Sequence, residues 1–149
     1  MTYQYFGDLD KMKPKASSVI IFNQFDEVLL LLRDNNPGIL YPNTWGFIGG
    51  CAEKNETPLQ TIQRECFEET GLRNITFQYF MTLNSPFHVE TVFTSFYKDK
   101  NTQIQCFEGV RNEFFHVSKL SSLSMGFNHD LIGQLFVRYL ENIKNKETQ

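Results

Sequence analysis

Between Thr57 and Gly71 the chain spells out both ends of a helix. Thr57 offers an N-cap hydroxyl, Pro58 suits the first helical position, and Gln60 completes a T-x-x-Q capping box. Gly71 stands where a left-handed residue stops a helix, so the helix is expected to run to Thr70. Leu59, Ile62 and Cys66 would pack its apolar sector against a sheet. On the adjoining sector Glu65, Glu68 and Glu69 stand at i, i+3 and i+4. Like charges at this spacing cost a helix about 0.2–0.5 kcal/mol per pair, and the C-terminal half of a helix disfavours anions. Such an arrangement needs either open water or a cation.

Taken alone, the three glutamates are an ordinary solvated face, with Arg64 pairing to Glu68 at i+4. The balance of charge over the whole chain sharpens the alternative. A net charge of -3 and a pI near 5.6 argue against a nucleic-acid partner, which would call for a basic face. An acidic protein that handles phosphates must borrow positive charge. Mg²⁺, or Mn²⁺ in its place, is the natural lender, because hard divalent ions take carboxylates together with phosphate oxygens.

Elsewhere the pattern is mixed. Ser17–Asn23 and Glu27–Arg33 read as strands joined by a turn, and Asp34–Thr44, with Pro37, Gly38 and Pro42, reads as a long loop. Phe47-Ile48 is a short strand running into Gly49-Gly50. Ile75–Leu83, His88–Lys98 and Phe114–Val117 are further strands, and His129–Asn145 is a closing helix carrying Leu131, Leu135, Phe136, Tyr139 and Leu140. Strands interspersed with two helices imply a layered α/β or α+β fold. A length of 149 residues suits one domain, taken as 1–149.

The segment from Gly50 to Leu72 reads Gly50, five residues, Glu56, seven residues, Arg64-Glu65-Cys66-Phe67-Glu68-Glu69-Thr70-Gly71-Leu72. It resembles the Nudix box, G-x5-E-x7-R-E-U-x-E-E-x-G-U with U a bulky apolar residue. Cys66 is the one soft position. Seven specified residues would coincide by chance in on the order of one such chain in a million. The resemblance therefore outweighs the solvated-face reading.

That resemblance implies an α/β fold, a Nudix-type α/β/α sandwich with a mixed central sheet. It also implies metal-dependent hydrolysis of a pyrophosphate linkage. Glu65 and Glu69 become the first metal-ligand candidates, with Glu68 as a further ligand and the Gly49 carbonyl completing the set. Gly50, Glu56, Arg64 and Gly71 would be structural, Arg64 pairing with Glu56 to position the helix. Glu65, Glu68 or a loop glutamate would accept the proton from the attacking water; Glu108 matches that loop position best and Glu113 second. Arg33 resembles a phosphate-binding arginine, Asn128 a base-reading asparagine, and Tyr41 a stacking residue beside the site loop. Asn128 is equally a helix N-cap, and Trp45 reads as packing rather than stacking. One departure is Ile48, where many members have proline before the two glycines.

Other chemistries lack their signatures. His88, His116 and His129 show no zinc spacing, there is no G-x-S-x-G, and no Lys-Ser/Thr follows Gly46–Gly50 to make a P-loop. Three cysteines without C-x-x-C spacing, a polar N-terminus and no long apolar run suggest a soluble cytoplasmic protein, monomer or homodimer, away from membranes and nucleic acid. Three functions stay open. One is hydrolysis of a nucleoside triphosphate, with an oxidised purine such as 8-oxo-dGTP as one candidate. The second is hydrolysis of a nucleoside diphosphate sugar or dinucleoside polyphosphate, and the third is nucleotide binding without turnover.

Overall fold

Val19-Ile20-Ile21-Phe22 and Val28-Leu29-Leu30-Leu31 are continuous apolar runs, the pattern of strands covered on both faces. A computed structural model, which describes residues 13–98 and 104–149, shows them so. β1 (Lys15–Phe22) and β2 (Glu27–Leu32) lie inside a seven-stranded sheet. Their alternate residues feed two cores. Val19, Ile21, Leu29 and Leu31 meet Ile62 and Cys66 of helix α1 (Pro58–Thr70) on one face. Ile20, Val28 and Leu30 meet Ile132, Phe136 and Leu140 of helix α2 (His129–Glu147) on the other. This is an α/β/α sandwich.

The remaining strands are β3 (Trp45–Gly46), β4 (Ile48–Cys51), β5 (Gln78–Asn84), β6 (Val89–Phe96) and β7 (Arg111–His116). β1 runs parallel to β6 along its whole length, while the other strand pairings are antiparallel, so the sheet is mixed. The stretch from β3 to β4 changes partners on the way. Trp45 and Gly46 pair with Leu32 and Leu31 of β2, then Ile48–Cys51 pair with Val19–Ala16 of β1. It therefore fills the gap where β1 and β2 diverge.

Several sequence expectations need correction. The short strand expected at Phe47-Ile48 is Ile48–Cys51 instead, so it includes Gly49 and Gly50 and leaves Phe47 between strands. Leu59 is 42% exposed, because it sits in the first turn beyond the edge of the core, where Thr61 is buried instead. Leu131 is likewise 44% exposed, since α2 turns Ile132, Phe136 and Leu140 inward at i, i+4 and i+8. A 3-10 helix at Val117–Ser122 was not foreseen. The N-terminal stretch through residue 12, part of the polar segment discussed above, lies outside the described residues. Among those described, no helix is long and apolar enough to cross a membrane.

Candidate active site

The helix that carries the glutamates is capped as its sequence demands. Thr57 accepts from the Gln60 N–H, the Gln60 side chain accepts from the Thr57 N–H, and Gly71 ends the helix at φ 73°. Arg64 fixes the approach to it. Its Nε and Nη2 donate to the two carboxylate oxygens of Glu56, each at 2.9 Å, and Nη2 also donates to the Cys51 carbonyl at 3.0 Å. The bidentate pairing holds Glu56 down to about pKa 2. Arg64 thereby staples the end of β4 to the loop and the helix.

The three helix glutamates part company in their surroundings. Glu68 is half exposed and bonds Arg64 Nη1 at 3.2 Å. Glu65 is largely covered and bonds the same nitrogen at 2.8 Å. Glu69 is 4% exposed, and its Oε2 accepts from the Gly49 N–H at 3.1 Å. Burial, with Glu65 and Glu108 nearby, pushes Glu69 up to about pKa 9 against one opposing bond from Gly49. Burial also raises Glu65, opposed by Arg64 and reinforced by Glu68 and Glu108.

Glu108 reaches this cluster because its loop borrows hydrogen bonds that α1 leaves unused. The Gln105 and Phe107 N–H groups bond to the Thr70 and Glu69 carbonyls at the C-terminus of the helix. On the far side Val110 N–H bonds to the Leu32 carbonyl, tying the loop to β2. Glu108 is thus set against the Glu69 carboxyl. Glu113 is elsewhere: it lies in β7, paired with Arg111 at 3.5 Å.

The two glycines before the helix have little room for a side chain. A Cβ on Gly50 would collide with the Glu65 carboxylate, and one on Gly49 would collide with the Ser17 carbonyl of β1. The donor set suits a hard divalent cation. It is all oxygen, partly desolvated, and strained by like charge that a cation would relieve. Among the described residues no three acidic, histidine or cysteine groups close into a ready-made cage. The carboxylates are instead shared out among Arg64, the Gly49 amide and each other.

A cavity of about 440 Å³ opens beside the cluster, lined by Glu69, Phe107, Glu108, Arg33, Asp34 and Ile39. A larger cleft of about 570 Å³, near Phe25, Tyr97 and Glu113, contains none of the box residues. Perturbed, buried carboxylates make the smaller one the candidate site. At its rim Arg33 donates to the Leu40 carbonyl at 2.9 Å and places its guanidinium 4.8 Å from the centre of the Phe127 ring. Tyr41 meets the same ring edge to face at 4.7 Å. Phe127 was missed in the sequence, yet it joins Arg33 and Tyr41 and is followed directly by Asn128. Phe127 and Asn128 both adopt left-handed backbone, φ 57° and 60°. Asn128 precedes α2 without making the side-chain cap bond expected of an N-cap, and its side chain is exposed. The Trp45 ring packs against Phe115 at 4.7 Å, while its carbonyl accepts from the Gly126 N–H.

A second polar group was also missed. His129 Nδ1 accepts from the Phe47 N–H at 2.9 Å, and its Nε2 lies 2.8 Å from Glu90 Oε1. Burial opposes ionisation of Glu90, yet His129, with Ser18 and His88 adding to it, outweighs burial and holds the carboxyl below the usual range.

Comparison with known proteins gives the same frame. The NUDIX domain model matches residues 12–129. A Mycobacterium tuberculosis protein provisionally assigned as 8-oxo-dGTP diphosphatase 3 is 35% identical over 82 residues, covering 46% of this chain and 38% of that protein. The chain therefore spans well under half the length of the curated relatives it matches. A MutT/nudix family protein from Listeria innocua superposes with a TM-score of 0.70 at 17% identity, covering 87% of this chain and 96% of that one. The NUDIX domain of Shewanella oneidensis NrtR, captured with ADP ribose, gives 0.68 at 16% identity, covering 94% and 99%. At such identities the structures speak for the fold alone. Family model, box and fold agree: the chain belongs to the Nudix family.

Proposed function

We propose that the protein hydrolyses the pyrophosphate linkage of a nucleoside triphosphate, with Mg²⁺ or Mn²⁺ as cofactor and an oxidised purine such as 8-oxo-dGTP as the favoured base. The observation that carries this is a cavity lined by Glu69, Glu108 and Arg33, with Glu65 beside the two carboxylates. The similarity to a provisional 8-oxo-dGTP diphosphatase supports the choice of base. Three free thiols fit a reducing, cytoplasmic setting.

Glu65 and Glu69, with the Gly49 carbonyl, would hold the ion, and Glu68 would serve as an outer ligand. A bound divalent ion supplies charge neutralisation for the diphosphate and acidifies its water. Arg33, which lines the same cavity, holds a phosphate oxygen. Glu108 accepts the proton of the attacking water, since Glu65 is engaged by Arg64 and Glu68 faces outward. Tyr41 and Phe127 offer ring faces to the base, and the uncapped Asn128 amide is available to its edge.

The test is a panel of nucleoside triphosphates, oxidised purine triphosphates, diphosphate sugars, dinucleoside polyphosphates and ADP ribose, with Mg²⁺ or Mn²⁺. Monophosphate and pyrophosphate from a purine triphosphate is the expected outcome. Preference for a diphosphate sugar would overturn the substrate assignment. Full activity in Glu65→Gln would overturn the site.

A further inference from the structure

Glu90 is a costly residue to keep where it is. It is 3% exposed, lies on the α2 side of the sheet, and its Oε2 has no hydrogen-bond partner among the described residues. His88 Nε2 stands 3.6 Å from that oxygen, beyond hydrogen-bond reach. Buried charges of this kind add little stability, and apolar replacements are often neutral or better. The other oxygen shows what the residue does. Oε1 faces His129 Nε2, while His129 Nδ1 accepts from the Phe47 N–H. A ring nitrogen that accepts carries no proton, so the proton of His129 resides on Nε2 and points at Glu90.

Phe47 is the residue between β3 and β4, where the chain leaves one strand for another. Its amide is therefore held by a side chain at the switch. Two residues on, the Gly49 amide is held by Glu69 from the opposite face. The segment is clamped from both helices.

We propose that Glu90 and His129 are positioning residues for the ion-binding backbone: Glu90 selects the Nε2–H form of His129, and His129 Nδ1 anchors Phe47 so that the Gly49 peptide keeps one orientation beside Glu69. This rests on the metal-dependent function above. It requires the imidazole nitrogen nearest the backbone, not merely a side chain of that size. Supporting groups behind a metal ligand typically matter 10- to 100-fold in affinity.

The experiment is Mn²⁺ binding to the nucleotide-free protein, followed by the electron paramagnetic resonance of free Mn²⁺, with melting temperature recorded alongside. His129→Asn keeps an acceptor at the place of Nδ1; His129→Gln moves the amide out towards the place of Nε2. Both lose packing, but Asn should retain Mn²⁺ affinity within a few-fold while Gln weakens it by about tenfold or more. Nitrogen-15 spectra of the wild type should show the His129 proton on Nε2. Equal Mn²⁺ affinity in both variants, or equal loss in both, would overturn the proposal and leave the hydrolase reading standing. A proton on Nδ1 would do the same. Failure of the wild type to bind Mn²⁺ would overturn both readings.

Discussion

Glu69 and Glu90 are both almost fully buried, on opposite faces of one sheet, and both act on the same few residues of backbone. Glu69 takes the Gly49 amide directly, whereas Glu90 reaches the Phe47 amide through His129. Their acidities diverge. Glu69, among carboxylates, is pushed up to about 9, while Glu90, against an imidazole, is held below the usual range. Burial is common to both, so it is the neighbours that decide the charge. A buried carboxylate among carboxylates holds its proton more tightly, whereas one that takes a ring N–H on one oxygen gives it up more readily.

The sharpest way to break this comparison is a matched pair of substitutions. Glu69→Gln should lower turnover by more than about 100-fold, beyond the 10- to 100-fold range of supporting groups, within which Glu90→Gln should fall. Steady-state kinetics at saturating metal checks it, and equal losses would erase the distinction. Next in size is Gly50→Ala, whose new Cβ would push the Glu65 carboxylate aside. Misplacement on that scale costs about 10- to 100-fold in rate with the fold intact, read by kinetics beside circular dichroism.

A smaller, signed effect concerns pH. The folded pKa of Glu69 lies above its ordinary 4.5, so the folded protein holds an extra proton between 4.5 and about 9. Without metal, its contribution is fully present below the lower value and is lost as pH rises towards the upper one. The slope from this one group is at most about 1.4 kcal/mol per pH unit. Glu90 acts in the opposite sense: its contribution is present above the unfolded value and is lost as pH falls below it. Melting temperatures of the metal-free protein should therefore fall from pH 5 to 8, and Glu69→Gln should flatten that fall while Glu90→Gln leaves it. The mildest prediction lies at the rim, where Asn128→Ala should change the ratio of kcat/KM between purine triphosphates by about tenfold. An unchanged ratio would remove Asn128 from base reading.

How much of this was written in the sequence depends on how far apart the partners stand. The α1 caps, the glutamate face and the Arg64–Glu68 contact are encoded within a few turns, and the structure places them as read, while the Arg64–Glu56 pairing came from the resemblance. Glu108 was legible only through the resemblance, because its neighbour Glu69 belongs to a different element. Glu90, His129 and Phe47 form contacts across 39 and 82 residues, with no periodic pattern to announce them. Phe127 was hidden for another reason: its left-handed backbone breaks any local pattern that would have flagged it. Leu59 and Leu131 were misplaced because periodicity gives the width of an apolar stripe, while the phase at its ends is set by where the sheet stops.

The change of partner between β3 and β4 carries one more implication. Because the two amides are claimed by helices on opposite faces, the segment behaves like a reading frame with a stop at each side. An inserted residue between Phe47 and Gly49 would leave both strands pairable, yet it would turn every later side of the strand over. Glu69 would then face the wrong edge of the peptide, and Gly50 would no longer lie opposite Glu65. The box could remain letter-perfect in such a chain and still be out of phase with its own backbone.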